Sequence, residues 1–249
     1  MSQAALSTSA VDINVDIAAA ASQLARLDAR DRIAWSLSHL PSSQVLSSSF
    51  GVQAAVMLHL AGEVAPGIPV IFIDTGYHFA ETYRFVDQLT RRLAINLKVY
   101  RPRLSAGWQE ARHGRRWEAG RAALQAYNRD NKVEPMRRAL GELRVGTWFS
   151  GLRRAQSASR REIGFIDQQW GRCKVHPIAD WSDREVHAYL KRHRLPYHPL
   201  RERGYVSIGD WHTTRSLADV DDESQARFFG LLRECGLHDL PDKQHQSPA

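Results

Sequence analysis

A cysteine near the C-terminus, Cys235, has the sequence surroundings of a reactive thiol. It lies in Arg-Glu-Cys-Gly-Leu-His, between Arg233 and His238 and outside any apolar run. A cysteine that only packs is among the most buried residue types, whereas a basic neighbourhood favours the nucleophilic thiolate. We therefore expect Cys235 to be a nucleophile, with His238 lowering its pKa or orienting it. An incidental surface cysteine beside an exposed histidine is the alternative.

A second group of residues offers hydrogen-bond donors to a phosphate. Ser47, Ser48, Ser49, Phe50 and Gly51 connect a short apolar run to a helical one. Backbone N–H groups and the positive end of a helix favour an anion. The segment predicts a phosphate-binding loop, while a serine run before a helix is also typical of a simple cap.

Arginines follow another apolar run, at 147–149. The run leads into Gly151, Arg153 and Arg154, and Arg160 follows. Guanidinium groups match the oxygens of phosphate and sulfate. Their position after a strand favours anion binding, because ligands of open parallel sheets lie at the carboxyl ends of the strands.

The elements that must position these groups alternate between strand and helix. Strands are predicted at 44–47, 70–73, 95–100, 147–149 and 173–178, and helices at 15–40, 52–60, 81–93 and 183–193. Ser182 and Glu185 form a capping-box pattern at the start of the last helix. The βαβαβ order predicts an α/β fold with a parallel twisted sheet and helices on both faces.

The chain is long enough for one large domain and a small appendage. Its 249 residues are 43% hydrophobic and 24% charged. We expect a disordered N-terminus at 1–14, an α/β domain at 15–205 and a mobile C-terminal tail at 206–249 that carries the thiol. No apolar run approaches the ~20 residues of a membrane span and no signal peptide is evident, so a cytoplasmic protein is expected.

Charge and composition restrict the partners. The net charge of +7 points to an anionic partner, and a small phosphorylated molecule fits better than nucleic acid because no nucleic-acid module is recognised. Two cysteines cannot form a four-thiolate site, and Cys173, in a predicted strand, indicates a structural thiol. Four histidines lack mutual metal-ligand spacing, so no metal site is expected: His59, His113, His187 and His193.

Several motifs, taken in order, resemble the phosphoadenylyl-sulfate (PAPS) reductase family, in its thioredoxin-dependent, cluster-free branch. The resemblance extends from about Leu40 to His238. It rests on the segments 47–51, 74–77, 81–83, 132–136, 148–154, 197–200 and 234–238. Each segment is weak alone, and their order makes the set specific.

The resemblance implies an adenine-nucleotide α-hydrolase-like fold, usually a homodimer, and an oxidoreductase of sulfate assimilation that leads to sulfite and cysteine. It implies that the Cys235 thiolate attacks the sulfur of PAPS and releases adenosine 3′,5′-bisphosphate. Thioredoxin or glutaredoxin then releases sulfite from the cysteine S-sulfonate. The residues implied to bind substrate are Ser47, Ser48, Ser49, Phe50, Gly51, Asp74, Thr75, Gly76, Lys132, Gly151, Arg153, Arg154, Arg160 and Arg227.

Cofactor use is predicted from four positions. Family relatives that reduce adenylyl sulfate (APS) carry two cysteine pairs that ligate a four-iron cluster. This chain has Tyr127, Asn128, Asp210 and Thr213 there. These side chains cannot replace thiolates, so the resemblance implies no iron–sulfur cluster, and PAPS rather than APS as substrate.

Three alternatives remain open: APS reductase activity, an ATP pyrophosphatase of the same fold of the tRNA-modifying type, and a basic nucleotide-binding module without catalysis. The pyrophosphatase needs a carboxylate in the phosphate loop for Mg²⁺. Gln53 stands at that position and supplies no charge.

Overall fold

Six short strands form one sheet in the part of the chain that the structure describes. The structure is a computed structural model and describes residues 15–232 and 236–237. The strands are β1 Gln44–Ser47, β2 Pro69–Ile73, β3 Asn96–Tyr100, β4 Thr147–Ser150, β5 Ile166–Gln169 and β6 Arg172–Val175. Their order is β3-β2-β1-β4-β6-β5, and all pairs are parallel except β5 with β6. The predicted parallel sheet is confirmed, and β5 was not predicted.

Eight α-helices flank the sheet in the described residues. They are α1 Ile17–Leu24, α2 Ala29–His39, α3 Ala55–Val64, α4 Ala80–Leu93, α5 Ala106–His113, α6 Gly120–Asn128, α7 Glu134–Glu142 and α8 Asp183–Arg192. The helix predicted at 15–40 is two helices, because the Asp28 side chain accepts from the backbone N–H of Asp31 and begins α2. The capping box predicted at Ser182 is confirmed.

Both faces of the sheet are covered by apolar contacts. Successive residues of a strand point to opposite faces. Leu46 accordingly packs in the cluster that includes Ile33 of α2 and Phe85 of α4. Val45 packs on the other face with Met136 of α7. The strands are therefore buried on both sides, as their continuous apolar sequences require.

The direction of chain crossing reverses between β1 and β4, which lie side by side at the centre of the sheet. Ser47, the last residue of β1, is paired in register with Ser150, the last residue of β4. Ligands of open parallel sheets bind at such a switch point. The topology thus places the predicted phosphate loop and the predicted arginine segment next to each other.

Residues 206–232, which the sequence assigns to the tail, form short 3₁₀ helices that pack on the loop after β2. Trp211 donates its backbone N–H to the carbonyl of Tyr77 at 2.9 Å. Asp210 forms a bridge with His78. Asp210 and Phe228 are buried. No helix among the described residues is both long and apolar enough to cross a bilayer.

Candidate active site

The predicted phosphate loop leaves β1 and reaches α3 without serving as a helix cap. The cap position of α3 is Ala54, which has no side-chain cap bond. Ser47 Oγ instead accepts from Trp148 Nε1 at 2.6 Å, and Ser48 Oγ accepts from the Phe50 N–H at 3.1 Å. The serines therefore shape the loop itself, which removes the cap alternative for this segment.

Phe50 holds this loop in place. Its φ is +50°, and its ring is fully buried with its centroid 5.4 Å from that of Phe72. Burial of an aromatic ring offsets the cost of the left-handed backbone. Only the backbone of Phe50 is therefore available to a ligand, whereas the side chain of Ser49 is exposed.

The loop after β2 is organised by Asp74. Its carboxylate accepts from Tyr83 Oη and Arg101 Nε, both at 2.7 Å, and from the Gly76 N–H at 3.0 Å. Gly76 has φ +79°, which glycine adopts without strain. Burial acts to raise the pKa of Asp74, but these hydrogen bonds outweigh it and lower the pKa. Asp74 thus builds the loop, with both carboxylate oxygens already engaged.

Lys132 lies in a buried ion pair. Its Nζ is 2.6 Å from Asp210 Oδ2, and both side chains are less than a tenth exposed. Thr75 Oγ1 donates to Asp210 at 2.5 Å, and Tyr127 Oη donates to it at 3.1 Å. Burial acts to raise the pKa of Asp210, but Lys132 opposes it and holds the pKa far below its usual value. A buried pair of this kind is costly to break at one partner only.

The chain carries Lys132 on a π-helical turn, Arg129–Val133, between α6 and α7. Such turns are rare and occur mainly at functional sites. Lys132 Nζ also lies 5.0 Å from the ring centre of Phe228 and 5.6 Å from that of Tyr127. The lysine therefore joins the loop after β2, the turn before α7 and the segment 206–232.

The two residue pairs at the positions where the resemblance implies cluster cysteines in relatives meet in the fold. Tyr127 binds Asp210, and the Thr213 N–H donates to the Asp210 carbonyl at 3.1 Å. Asn128 is buried beside Tyr127, and its side-chain amide has no partner among the described residues. The separated sequence positions thus form one polar interior site, built from oxygen and nitrogen groups.

Arg153 is buried beside the phosphate loop. Its guanidinium donates to Gln53 Oε1 at 2.5 Å, to Asp183 Oδ1 at 2.7 Å and to the Trp181 carbonyl at 2.9 Å. The side chain of Asp183 is 72% exposed, in contrast with the 3% of Arg153. The arginine hydrogen bond is the largest influence that lowers the pKa of Asp183. The sequence pattern pointed to Gln53 only as the position of a missing Mg²⁺ ligand, and it indicated neither of these contacts.

The other predicted arginines each have different partners. Arg154 donates to the Ile163 carbonyl at 2.9 Å and lies over the Phe165 ring. Arg160 donates to Gln156 Oε1 at 2.6 Å. Arg227 donates to Ser207 Oγ at 3.1 Å.

Two glycines permit close packing here. The guanidinium of Arg227 lies so near Gly209 that a Cβ at Gly209 would collide with it. A Cβ at Gly151 would lie 3.1 Å from Met57 Cγ, so this predicted residue allows β4 to leave the sheet closely against α3.

His176 fixes the end of β4 and was not predicted. Its Nδ1 lies 2.7 Å from Ser150 Oγ, and its Nε2 lies 3.1 Å from Asp167 Oδ2. Burial is the main cause that lowers the pKa of His176. The sequence pattern placed His176 inside a predicted strand, 173–178, and its two partners are invisible in a local pattern.

Cys235 and His238 lie outside the described residues, whereas Gly236 and Leu237 lie within them. The Leu237 carbonyl accepts from Lys174 Nζ at 3.1 Å and from Gln169 Nε2 at 3.3 Å. The Leu237 side chain packs on the cluster that contains Trp148, which in turn binds Ser47. Leu237, two positions after Cys235 in the sequence, is thus linked to the phosphate loop through Trp148.

Comparisons with known proteins agree on one family. Residues 43–216 match the family model described as the phosphoadenosine phosphosulfate reductase domain. The chain is 57% identical over 236 residues to a phosphoadenosine 5′-phosphosulfate reductase of Xanthomonas oryzae pv. oryzae (strain PXO99A), covering 95% of this chain and 97% of that one. It is 60% identical over 218 residues to the protein of the same name from Alkalilimnicola ehrlichii, covering 88% and 89%.

Solved structures give the same result for the fold. The crystal structure of PAPS reductase from Candida auris in a phosphate complex aligns with a TM-score of 0.70 at 29% identity, covering 80% of this chain and 96% of that one. Candida glabrata FMN adenylyltransferase in complex with FAD and pyrophosphate aligns with a TM-score of 0.56 at 15% identity, covering 82% and 69%. The second likeness concerns the fold alone.

Proposed function

The chain belongs to the phosphoadenosine phosphosulfate reductase family, and on that premise we propose that it reduces PAPS to sulfite and adenosine 3′,5′-bisphosphate in sulfate assimilation. The observation that carries this proposal is the convergence of three predicted groups at one edge of the sheet. The phosphate loop at 47–51, the loop at 74–76 and Arg153 all follow parallel strands that end there. Such an edge suits a nucleotide with several anionic groups.

The binding roles follow from which groups can still reach a ligand. The backbone of Ser47–Gly51 offers N–H donors to a phosphate. Arg153 lies against this loop through Gln53, and its carboxylate partner Asp183 is exposed to water. An incoming sulfate or phosphate can therefore replace Asp183 at the guanidinium. Lys132, Arg154, Arg160 and Arg227 remain proposed ligands.

The chemical step is a displacement at sulfur. The Cys235 thiolate attacks the sulfur of PAPS, an S–S bond forms, and the S–O bond to the nucleotide phosphate breaks. Adenosine 3′,5′-bisphosphate takes the electron pair, and a cysteine S-sulfonate remains. Arginine neutralises the approach of two anions and stabilises charge on the leaving phosphate.

Release of sulfite requires an external dithiol. A thiolate of thioredoxin or glutaredoxin attacks the Cys235 sulfur, sulfite leaves, and a mixed disulfide forms that the second thiol of the partner resolves. Sulfur in the substrate is reduced by two electrons, and the partner dithiol is oxidised to a disulfide. No metal or cofactor takes part in this sequence of steps.

The contacts of Leu237 support delivery of the thiol to this edge. Two residues span no more than about 7 Å of extended chain. Leu237, two residues after Cys235 in the sequence, packs on the cluster containing Trp148, and Trp148 binds Ser47. The proposal includes His238 as the group that orients the thiol. It also includes a boundary near 205 between domain and tail, a homodimer and a cytoplasmic location.

Gln53 favours reduction over ATP pyrophosphatase chemistry. Its Oε1 accepts from the Arg153 guanidinium, so the amide oxygen at the position expected for an Mg²⁺ ligand already faces a cation. The neutral amide of Gln53 supplies no charge to an ion that prefers carboxylate oxygen.

Sulfite release with PAPS and reduced thioredoxin tests the proposed function. The Cys235→Ser variant is expected to bind PAPS and to release no sulfite above background. Cys173→Ser is the matched control, because Cys173 is buried in β6 and burial raises its pKa. Wild-type release by the serine variant at position 235 would overturn the proposal, as would pyrophosphate release from ATP without sulfite formation from PAPS.

A further inference from the structure

Three side chains with metal-binding atoms meet on the helical surface formed by α3 and α8. They are His59, Glu63 and His193, and one ligand atom from each lies within 4.8 Å of the other two. His59 and Glu63 are one turn apart on the same face of α3. His193 is the residue that ends α8. The cluster exists only in the fold, because the two histidines are far apart in the sequence.

The two histidine rings are already oriented. The hydroxyl of Tyr189 lies 2.8 Å from His59 Nδ1, and the ring centres of His59 and His193 are 4.6 Å apart. The ring centre of Tyr189 lies 4.3 Å from that of His193. Polar groups that hold a histidine ring in place are the usual support of metal-binding histidines.

We propose that His59, Glu63 and His193 bind one divalent transition-metal ion of the Zn²⁺ type, with water completing the coordination. Two imidazoles and one carboxylate are a ligand set that Zn²⁺ accepts, and it leaves at least one position open. Bonds of ~2.1 Å place ligand atoms ~3.4 Å apart, so the three groups must approach by roughly 1 Å. Glu63 can supply part of this movement, because its side chain is 40% exposed.

A metal ion at this site must compete with a neighbouring arginine for the Glu63 carboxylate. Arg30 NH1 lies 3.3 Å from Glu63 Oε2, and the side chains of this pair are 57% and 40% exposed. Exposed pairs contribute at most about 1 kcal/mol, so a metal ion can displace the arginine.

The site would join two helices that both begin at the candidate active site. Gln53 precedes α3 and Asp183 begins α8, and Arg153 binds both. His59 and Glu63 of α3 and His193 at the end of α8 lie away from these starts. A bound ion therefore ties α3 to α8 far from the reacting groups, and it stabilises the folded state by an amount that grows with the logarithm of the free ion concentration above Kd.

Calorimetric titration with Zn²⁺ tests this site in the Cys235→Ser background, which removes the catalytic thiol as a competing ligand. We expect one ion per chain and a higher melting temperature. His59→Asn and His193→Asn should each weaken Zn²⁺ binding at least ~10-fold. His113→Asn, an exposed histidine at the end of α5, is the control and should leave binding unchanged.

Two further measurements keep the test decisive. Melting without metal shows whether the asparagine variants fold as the parent does. Co²⁺ bound at the site should give a spectrum without a thiolate charge-transfer band. The proposal is overturned if Zn²⁺ does not bind saturably, if both asparagine variants bind it as tightly as the His113→Asn control, or if Co²⁺ shows thiolate ligation.

Discussion

Two buried cations, Lys132 and Arg153, stand at the same edge of the sheet, and they differ in the exposure of their acidic partners. Asp210, the partner of Lys132, is fully buried, whereas the side chain of Asp183, the partner of Arg153, is 72% exposed. The lysine charge is thus neutralised inside the protein. The arginine charge is balanced by a group that water can solvate, so an incoming anion can take its place.

This difference separates two roles that sequence reasoning treats as one. Both residues are predicted ligands of sulfate or phosphate. The Lys132 region connects the loop after β2 to the segment 206–232 through Thr75, Tyr127 and Asp210. We therefore expect Lys132 to contribute mainly to stability and to the position of that segment, and Arg153 mainly to the binding of an anionic substrate.

Asp210→Asn should have the largest effect. The substitution leaves the Lys132 ammonium buried without a counter-charge, which costs about 3–5 kcal/mol of unfolding free energy. Urea denaturation followed by circular dichroism measures it. The double variant Asp210→Asn/Lys132→Met should recover a large part of the loss. A loss below about 1 kcal/mol in the single variant would contradict the account of this region.

Arg153→Lys should reduce activity more than stability. Lysine has no planar fork with which to hold Gln53, the Trp181 carbonyl and an anion at once. Loss of a hydrogen bond to a charged group should lower kcat/KM for PAPS roughly 10- to 100-fold. Arg144→Lys, at an exposed position, is the matched control and should be neutral. Unchanged kcat/KM in Arg153→Lys would remove the distinction between the two cations.

The Lys132 region should also be sensitive to acid. Burial is the main cause that lowers the pKa of His212, which stacks beside the Asp210 network, to about 4. Between the unfolded value near 6.5 and pH 4 the unfolded chain binds the proton and the folded chain does not, so unfolding free energy falls as pH falls. His212→Gln should reduce this loss by on the order of 2 kcal/mol.

Unfolding titrations at pH 7.0, 5.5 and 4.5 check the acid sensitivity. His39→Gln is the control, because His39 is an exposed residue at the end of α2. If the unfolding free energy changes equally with pH in wild type and in His212→Gln, the acid sensitivity arises elsewhere.

Asp183→Asn should have the smallest effect. An exposed carboxylate contributes at most about 1 kcal/mol to such a pair, so stability should change little. Removing its charge leaves Arg153 with less competition, and KM for PAPS should stay the same or fall. Steady-state kinetics with PAPS measure KM of the Asp183→Asn variant. A rise in KM comparable to that of Arg153→Lys would mean that Asp183 positions the arginine and does not compete with substrate.

Sequence patterns predict the sheet well because strands buried on both faces have continuous apolar sequences. They miss β5, whose Asp167 and two glutamines are polar. They also merge α1 and α2, because helical apolar spacing continues across Asp28 while the aspartate begins a second helix. Local capping competes with periodicity, and periodicity alone does not locate the break.

Sequence patterns locate the candidate site but not its charge balance. The order of strands places the loops at 47–51 and 74–76 at one edge. The partners that decide what each cation does, Asp210 and Asp183, are distant in the chain, and neither pairing follows from a local motif. The cluster of His59 with His193 is missed for the same reason, since ligand spacing was judged along the sequence.

The most direct test is the intact mass of reduced protein mixed with PAPS in the absence of any dithiol. The account predicts a gain of ~80 Da, one sulfonate, located on Cys235 by peptide mapping and removed by reduced thioredoxin. An unmodified protein that nevertheless yields sulfite once thioredoxin is added, or a sulfonate on Cys173, would contradict it.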